Sequence, residues 1–175
     1  MDRKKIGTWT DMIFTMHFAE LGTFEDGRKN DINSKKSLEE IGVKCPKTLK
    51  DMFLQLAKRS PNNLRKLSTH AFVTAGLFFN LLMLDCPAGY VCRISTLPAW
   101  LQYPVSEAEF AKGIIPIIQS VWHAKRSMEA TLEIVEMDNA IQALSFIPQK
   151  EFLPPVFSLS NNNGNKKRKA DNANM

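Results

Sequence analysis

Ala71 to Leu84 is a fourteen-residue run broken only by the polar residues Thr74 and Asn80. A segment this apolar has to leave water, yet crossing a bilayer as a helix takes about 20 residues. The run is therefore expected to form the centre of a folded core, and everything else in the chain has to pack around it. The surrounding stretch 67–96 is rich in β-branched, aromatic and aliphatic residues and is split by Ala75-Gly76, by Asp85-Cys86-Pro87 and by Gly89. That pattern predicts two or three strands, with Tyr90, Cys92 and Ile94 on one face of the last. A buried helix over 71–84 stays open, because periodicity alone does not separate the two for so short a run. With 175 residues, 44% of them hydrophobic and 11 of them Phe, the chain has material for one packed domain, which excludes disorder over its full length.

On the N-terminal side, residues 9–20 read as a strand, with Met12, Phe14, Met16 and Phe18 on one face. Residues 22–36 are turn-rich and charged and read as a loop. Ser37-Leu-Glu-Glu40 offers a capping box for a short helix. The clearest helix begins near Pro46: Leu49, Met52, Phe53 and Leu56 recur at helical spacing, and Ser60-Pro61-Asn62-Asn63 ends it. On the C-terminal side, 97–105 carries Trp100 and Tyr103 between Pro98 and Pro104 and reads as an irregular, aromatic loop. Ser106-Glu-Ala-Glu109 is a second capping box, opening a short helix that Gly113 closes. Residues 114–122 and 127–136 read as a β-hairpin, with Pro116 marking an edge strand, and 139–147 is open between strand and helix. The prediction is an α+β fold in a single compact domain: an antiparallel sheet packed with two or three short helices. Its expected limits are a short basic arm over 1–8, a globular part over 9–147, and a linker with a disordered basic tail over 148–175.

Charge is unevenly placed. The net +5 divides into +2 over residues 1–5, zero over 6–160 and +3 over 161–175. Within the neutral body, 28–66 holds eleven Lys/Arg against four acids. A basic coat over the whole surface is excluded; one cationic sector is expected. Its members include Lys35, Lys36, Lys44, Lys47, Lys50, Lys58, Arg59, Arg65 and Lys66, a candidate patch for an anionic membrane surface or a nucleocapsid, with a solvated helix face as the plain alternative. No aromatic platform is interleaved with these charges, which argues against direct reading of single-stranded RNA. Lys166-Lys167-Arg168-Lys169 has the form of a nuclear-import signal or of a solubilising tail. Trp100 and Tyr103 are candidates for self-association, or for packing onto the edge of the core.

Catalytic and metal-binding patterns are poorly represented. His17, His70 and His123 have no partner ligand at helical spacing, and Cys86-x5-Cys92 does not match a zinc knuckle. Cys45, Cys86 and Cys92 are an odd set, so a disulfide framework is not expected and a reducing compartment fits. No glycine-rich phosphate loop occurs. No enzyme activity, cofactor, metal or small-molecule substrate is expected, and neither is a secretory signal or a spanning segment.

The order of elements resembles the globular domain of rhabdovirus matrix proteins. Met12-Ile-Phe-Thr-Met-His-Phe18 is similar to its first strand, 46–84 to its helix and apolar segments, and Gly89 to Trp100 to its short strand and aromatic loop. Lys125-Arg-Ser-Met-Glu-Ala-Thr-Leu-Glu-Ile134 resembles the second strand of its final hairpin. The likeness covers about 9–147. The long lysine-rich arm and P-P-x-Y motif of animal-infecting members have no counterpart beyond Arg3, Lys4 and Lys5, and the compact chain is most similar to the matrix proteins of plant cytorhabdoviruses. The resemblance implies a non-enzymatic virion protein of the host cytoplasm and inner membrane face. It would bridge the viral nucleocapsid and the envelope membrane, self-associate, and condense the nucleocapsid during assembly and budding. The rival expectation is a nuclear-directed RNA-binding or regulatory protein, such as a silencing suppressor, which the tail would carry to a nuclear-import receptor.

Overall fold

A computed structural model describes residues 10–27 and 32–144. Six strands form one sheet: β1 (Met12–Met16), β2 (Ala19–Asp26), β3 (Ser68–Ala75), β4 (Phe78–Asp85), β5 (Arg93–Thr96) and β6 (Leu101–Gln102). The order across the sheet is β1-β2-β3-β4-β5, with β6 pairing β4 beyond β5. All pairs are antiparallel except β2–β3. That parallel pair needs a crossover, and the crossover carries α1 (Lys35–Glu39), a π-helical turn (Glu40–Lys44) and α2 (Cys45–Arg59). The expected α+β class holds, as a mostly antiparallel sheet with three helices.

The apolar run that constrained the fold is β3 and β4, turning at Gly76, whose φ of 61° favours glycine. Alternate residues face opposite ways, so each face of the pair gains its own helix. Ala71, Val73, Leu82 and Leu84 join Leu49, Phe53, Leu56 and Ala57 of α2 in one core. Phe72 and Phe79, with Phe14 and Phe24 beside them, meet Ile117 and Ala124 of α3 (Phe110–Leu144) in the other. Phe14 and Phe72 pack edge to face at 5.4 Å. Leu132 and Val135 of α3 then reach the first core. The four apolar positions singled out for α2, Leu49, Met52, Phe53 and Leu56, are all buried.

Several sequence expectations are overturned. The strand over 9–20 is a hairpin: β1 ends at Met16, His17 and Phe18 turn with φ of 47° and 64°, and β2 runs to Asp26 through what reads as loop. The alternation continues across the turn without Gly or Asn, so nothing in the pattern marks it. The first capping box is misplaced. Ser34 is the cap, accepting from the Ser37 amide, while Ser37 and Glu40 are buried. The second is absent, since Ser106 makes no side-chain cap bond.

The largest correction concerns 106–144. The short helix ending at Gly113 and the hairpin over 114–122 and 127–136 are a single 35-residue helix, α3, preceded by a 3-10 turn at Glu107–Glu109. It runs through Gly113 and through Pro116, which can make no bond to the Lys112 carbonyl. Burial of Ile117, Ala124 and Thr131, and of Val135 seven residues after the half-buried Met128, shows why. A seven-residue spacing lays one helical stripe along the sheet. The final hairpin of the matrix-protein layout is thus not present, and its single first strand over Met12 to Phe18 is replaced by the β1–β2 hairpin. The basic tail and the import candidate Lys166, Lys167, Arg168 and Lys169 lie outside the described residues.

Candidate anionic-surface interface

Because α2 buries one side in the core, its outer side is left to water, and that side is cationic. Lys47, Lys50 and Lys58 are exposed there with Gln55, and Asp51 is the single acid among the exposed α2 positions. Among the described residues none of these three lysines is in an ion pair. Lys35 is also exposed, on α1. Arg65 and Lys66 are exposed on the 3-10 turn Pro61–Lys66 that follows α2. The Arg65 side chain lies against Gly89, at φ +80°, where an added Cβ would meet its Nε at 3.1 Å.

Three of the nine patch residues have structural duties instead. Lys44 donates to the buried Glu25 Oε2 at 2.5 Å. Burial pushes the Glu25 carboxyl above its usual range, against the pull of the Lys44 ammonium. Lys36 donates to the Asp26 carbonyl at 3.2 Å and lies 3.4 Å from Glu40. Arg59 is half-buried and donates from Nη2 to the Phe18 carbonyl at 2.9 Å, tying α2 to the β1–β2 turn. At that turn Phe18 is 93% exposed and His17 pairs with Glu136 of α3.

A shallow pocket lies between the 3-10 turn and the β4–β5 loop, lined by Asn62, Asn63, Arg65, Lys66, Gly89 and Tyr90. Tyr90 is exposed. The fold therefore brings an exposed aromatic residue and two cations into the lining of one pocket, a juxtaposition that about 24 residues of separation hides in the sequence. Trp100 and Tyr103 are both half-buried, Trp100 against the α2-side core and Tyr103 against the α3-side core. They line an open groove of about 350 Å³ where the β6 loop meets the start of α3. This placement fits packing onto the edge of the core, and the open groove leaves both side chains partly accessible.

Burial mutes two thiols and one imidazole. Burial pushes the Cys45 and Cys92 thiols up to about 12, with Glu25 and Glu40 adding to the effect at Cys45. Such thiols stay protonated at neutral pH and are weak nucleophiles. His70 is 1% exposed, its Nδ1 has no partner among the described residues, and burial lowers it to about 4. Among the described residues no three His, Cys, Asp or Glu side chains gather as a metal site. No described helix is long and apolar enough to cross a membrane. Compared with known proteins, the chain matches no family model, no curated protein and no solved structure.

Proposed function

We propose that this chain is a matrix-type structural adaptor that docks anionic surfaces through the outer side of α2. The observation that carries the reading is the set of Lys47, Lys50 and Lys58, exposed and without ion-pair partners among the described residues, on a helix whose other side is locked into the core. Cations with no local partner are available to phosphates, and each Lys near an anionic bilayer contributes about 1 kcal/mol. Lys35, Arg65 and Lys66 extend the charge beyond both ends of α2. The resemblance of the sequence pattern to rhabdovirus matrix proteins supports the same reading. In it the protein bridges nucleocapsid and envelope membrane, associates with itself and has no catalytic duty.

The test is flotation with vesicles of anionic and of neutral lipid over a range of salt. Binding is expected only with anionic lipid and should weaken as salt rises, since exposed charges are screened. Equal flotation with both lipids would reject the reading.

A second reading, an RNA-binding regulatory protein, is favoured by one feature: the exposed Tyr90 lines one pocket with Arg65 and Lys66. Base stacking on an aromatic ring is worth about 1–3 kcal/mol. In this reading Tyr90→Ala lowers affinity for single-stranded RNA by about 5- to 150-fold, while leaving vesicle flotation unchanged.

A further inference from the structure

The outward stripe of α3 changes character halfway along. Ala111, Ile115, Ile118 and Trp122 follow one another at helical spacing and are all exposed, Ile115 by 50%, Ile118 by 58% and Trp122 by 57%. Continuing the same stripe, Lys125, Glu129, Glu133 and Glu136 are charged. Phe110 and Val121 flank the apolar half and are exposed too. A water-facing helix normally carries polar residues along that side, and here the first three turns do not. The inner side of the same turns is occupied by the sheet through Ile117 and Ala124, so this is a second, outward apolar surface.

We propose that the apolar half of α3 is a homotypic interface, in which two copies of this chain pack α3 against α3 in antiparallel register. The inference locates the self-association of the adaptor reading, and rests on that reading for its role in assembly. Three observations select a second copy as the occupant. The first is area. Five such side chains, about half exposed, present on the order of 500 Å² of apolar surface, the size of the largest patch on a typical monomer, which is often functional. Two-fold pairing would then bury on the order of 1,000 Å², where specific association begins.

The second is charge. Acids stand at one end of the patch, Glu107 and Glu109, and bases at the other, Lys125 and Arg126. A two-fold axis at the level of Pro116 and Ile117 sets Ile115 against the partner's Ile118 and Ala111 against the partner's Trp122. It also brings Lys125 and Arg126 toward the partner's Glu107 and Glu109. A parallel pairing would instead set like charges together. The third is availability. Among the described residues the ion pairs of Lys125 and Arg126 are exposed intrahelical ones with Glu129, at 3.5 and 2.8 Å, which are weak and easily exchanged. Lys125 also lies 5.2 Å from the Trp122 ring centroid, covering the edge of the patch.

The test is light scattering with size exclusion on the full chain at about 100 µM, a concentration that detects even weak dimers. The wild type is expected at twice the monomer mass. Ile118→Glu should give the monomer, with an unchanged circular dichroism spectrum because the side chain is outside the core. Glu107→Lys with Glu109→Lys should weaken association at least tenfold, and adding Lys125→Glu with Arg126→Glu should restore it. A monomeric wild type, an Ile118→Glu protein that stays dimeric, or a charge reversal without rescue would each overturn the proposal. These measurements contain no lipid, so they fail independently of the vesicle experiment.

Discussion

Acid should loosen this protein through one side chain. His70 sits on β3, opposite Met83 of β4 and Gly22 of β2, on the sheet face that α3 covers. It is 1% exposed with Nδ1 unpartnered among the described residues, so its charged form is desolvated without compensation, and burial lowers it from 6.5 to about 4. A histidine held below its unfolded value binds its proton more readily when unfolded. Stability is therefore complete above pH 6.5 and is lost as the pH falls toward 4. Integrating that difference gives a loss of about 2 kcal/mol by pH 5 and about 3 kcal/mol by pH 4. Glu25 pulls the other way, because a carboxyl raised by burial gains stability on protonation. The informative quantity is thus wild type compared with His70→Leu at each pH, by urea denaturation from pH 7.5 to 4. The gap between the two should widen by about 3 kcal/mol across that range. His70→Gln serves as a second non-titrating variant should the leucine disturb packing. Parallel pH profiles for wild type and both variants would refute the reasoning.

Three further outcomes follow from named contacts. Lys44→Met leaves Glu25 buried without its cation and should cost about 2–4 kcal/mol at neutral pH; adding Glu25→Gln should recover much of it, as read by urea midpoints. Replacing His17-Phe18 by Asn-Gly relieves two residues from left-handed backbone and should raise stability by about 1–2 kcal/mol, seen as a higher melting temperature. Gly22→Ala drives a Cβ to 2.7 Å from the His70 carbonyl oxygen, and this close approach between β2 and β3 should cost about 1–3 kcal/mol by thermal melting.

How much of this was legible in the sequence depends on whether local pattern and tertiary packing agreed. They agreed at α2, where four apolar residues at helical spacing all reach the core, and at β3–β4, where Gly76 marks the turn. They disagreed at His17-Phe18, where alternation runs on through a turn made by residues that rarely adopt it. They disagreed again in α3. Met128, Ala130, Leu132 and Ile134 alternate as a strand would, while the seven-residue recurrence of Ile117, Ala124 and Thr131 was the signal for one long helix. The site was half legible. Sequence identified the cationic sector but could not separate Lys44, committed to Glu25, from Lys47, which faces water. Nor could it bring Tyr90 to Arg65, because that meeting depends on where the β4–β5 loop returns.

The central claim is that the water-facing lysines of α2 hold the protein on an anionic surface. Its most direct test is vesicle flotation of Lys47→Gln/Lys50→Gln/Lys58→Gln beside wild type. Arg59 is left intact because it supports the β1–β2 turn. At about 1 kcal/mol for each lysine, the triple variant should bind anionic vesicles about 100-fold more weakly, with an unchanged melting temperature because all three side chains are exposed. Equal affinity for the variant and the wild type would contradict the account.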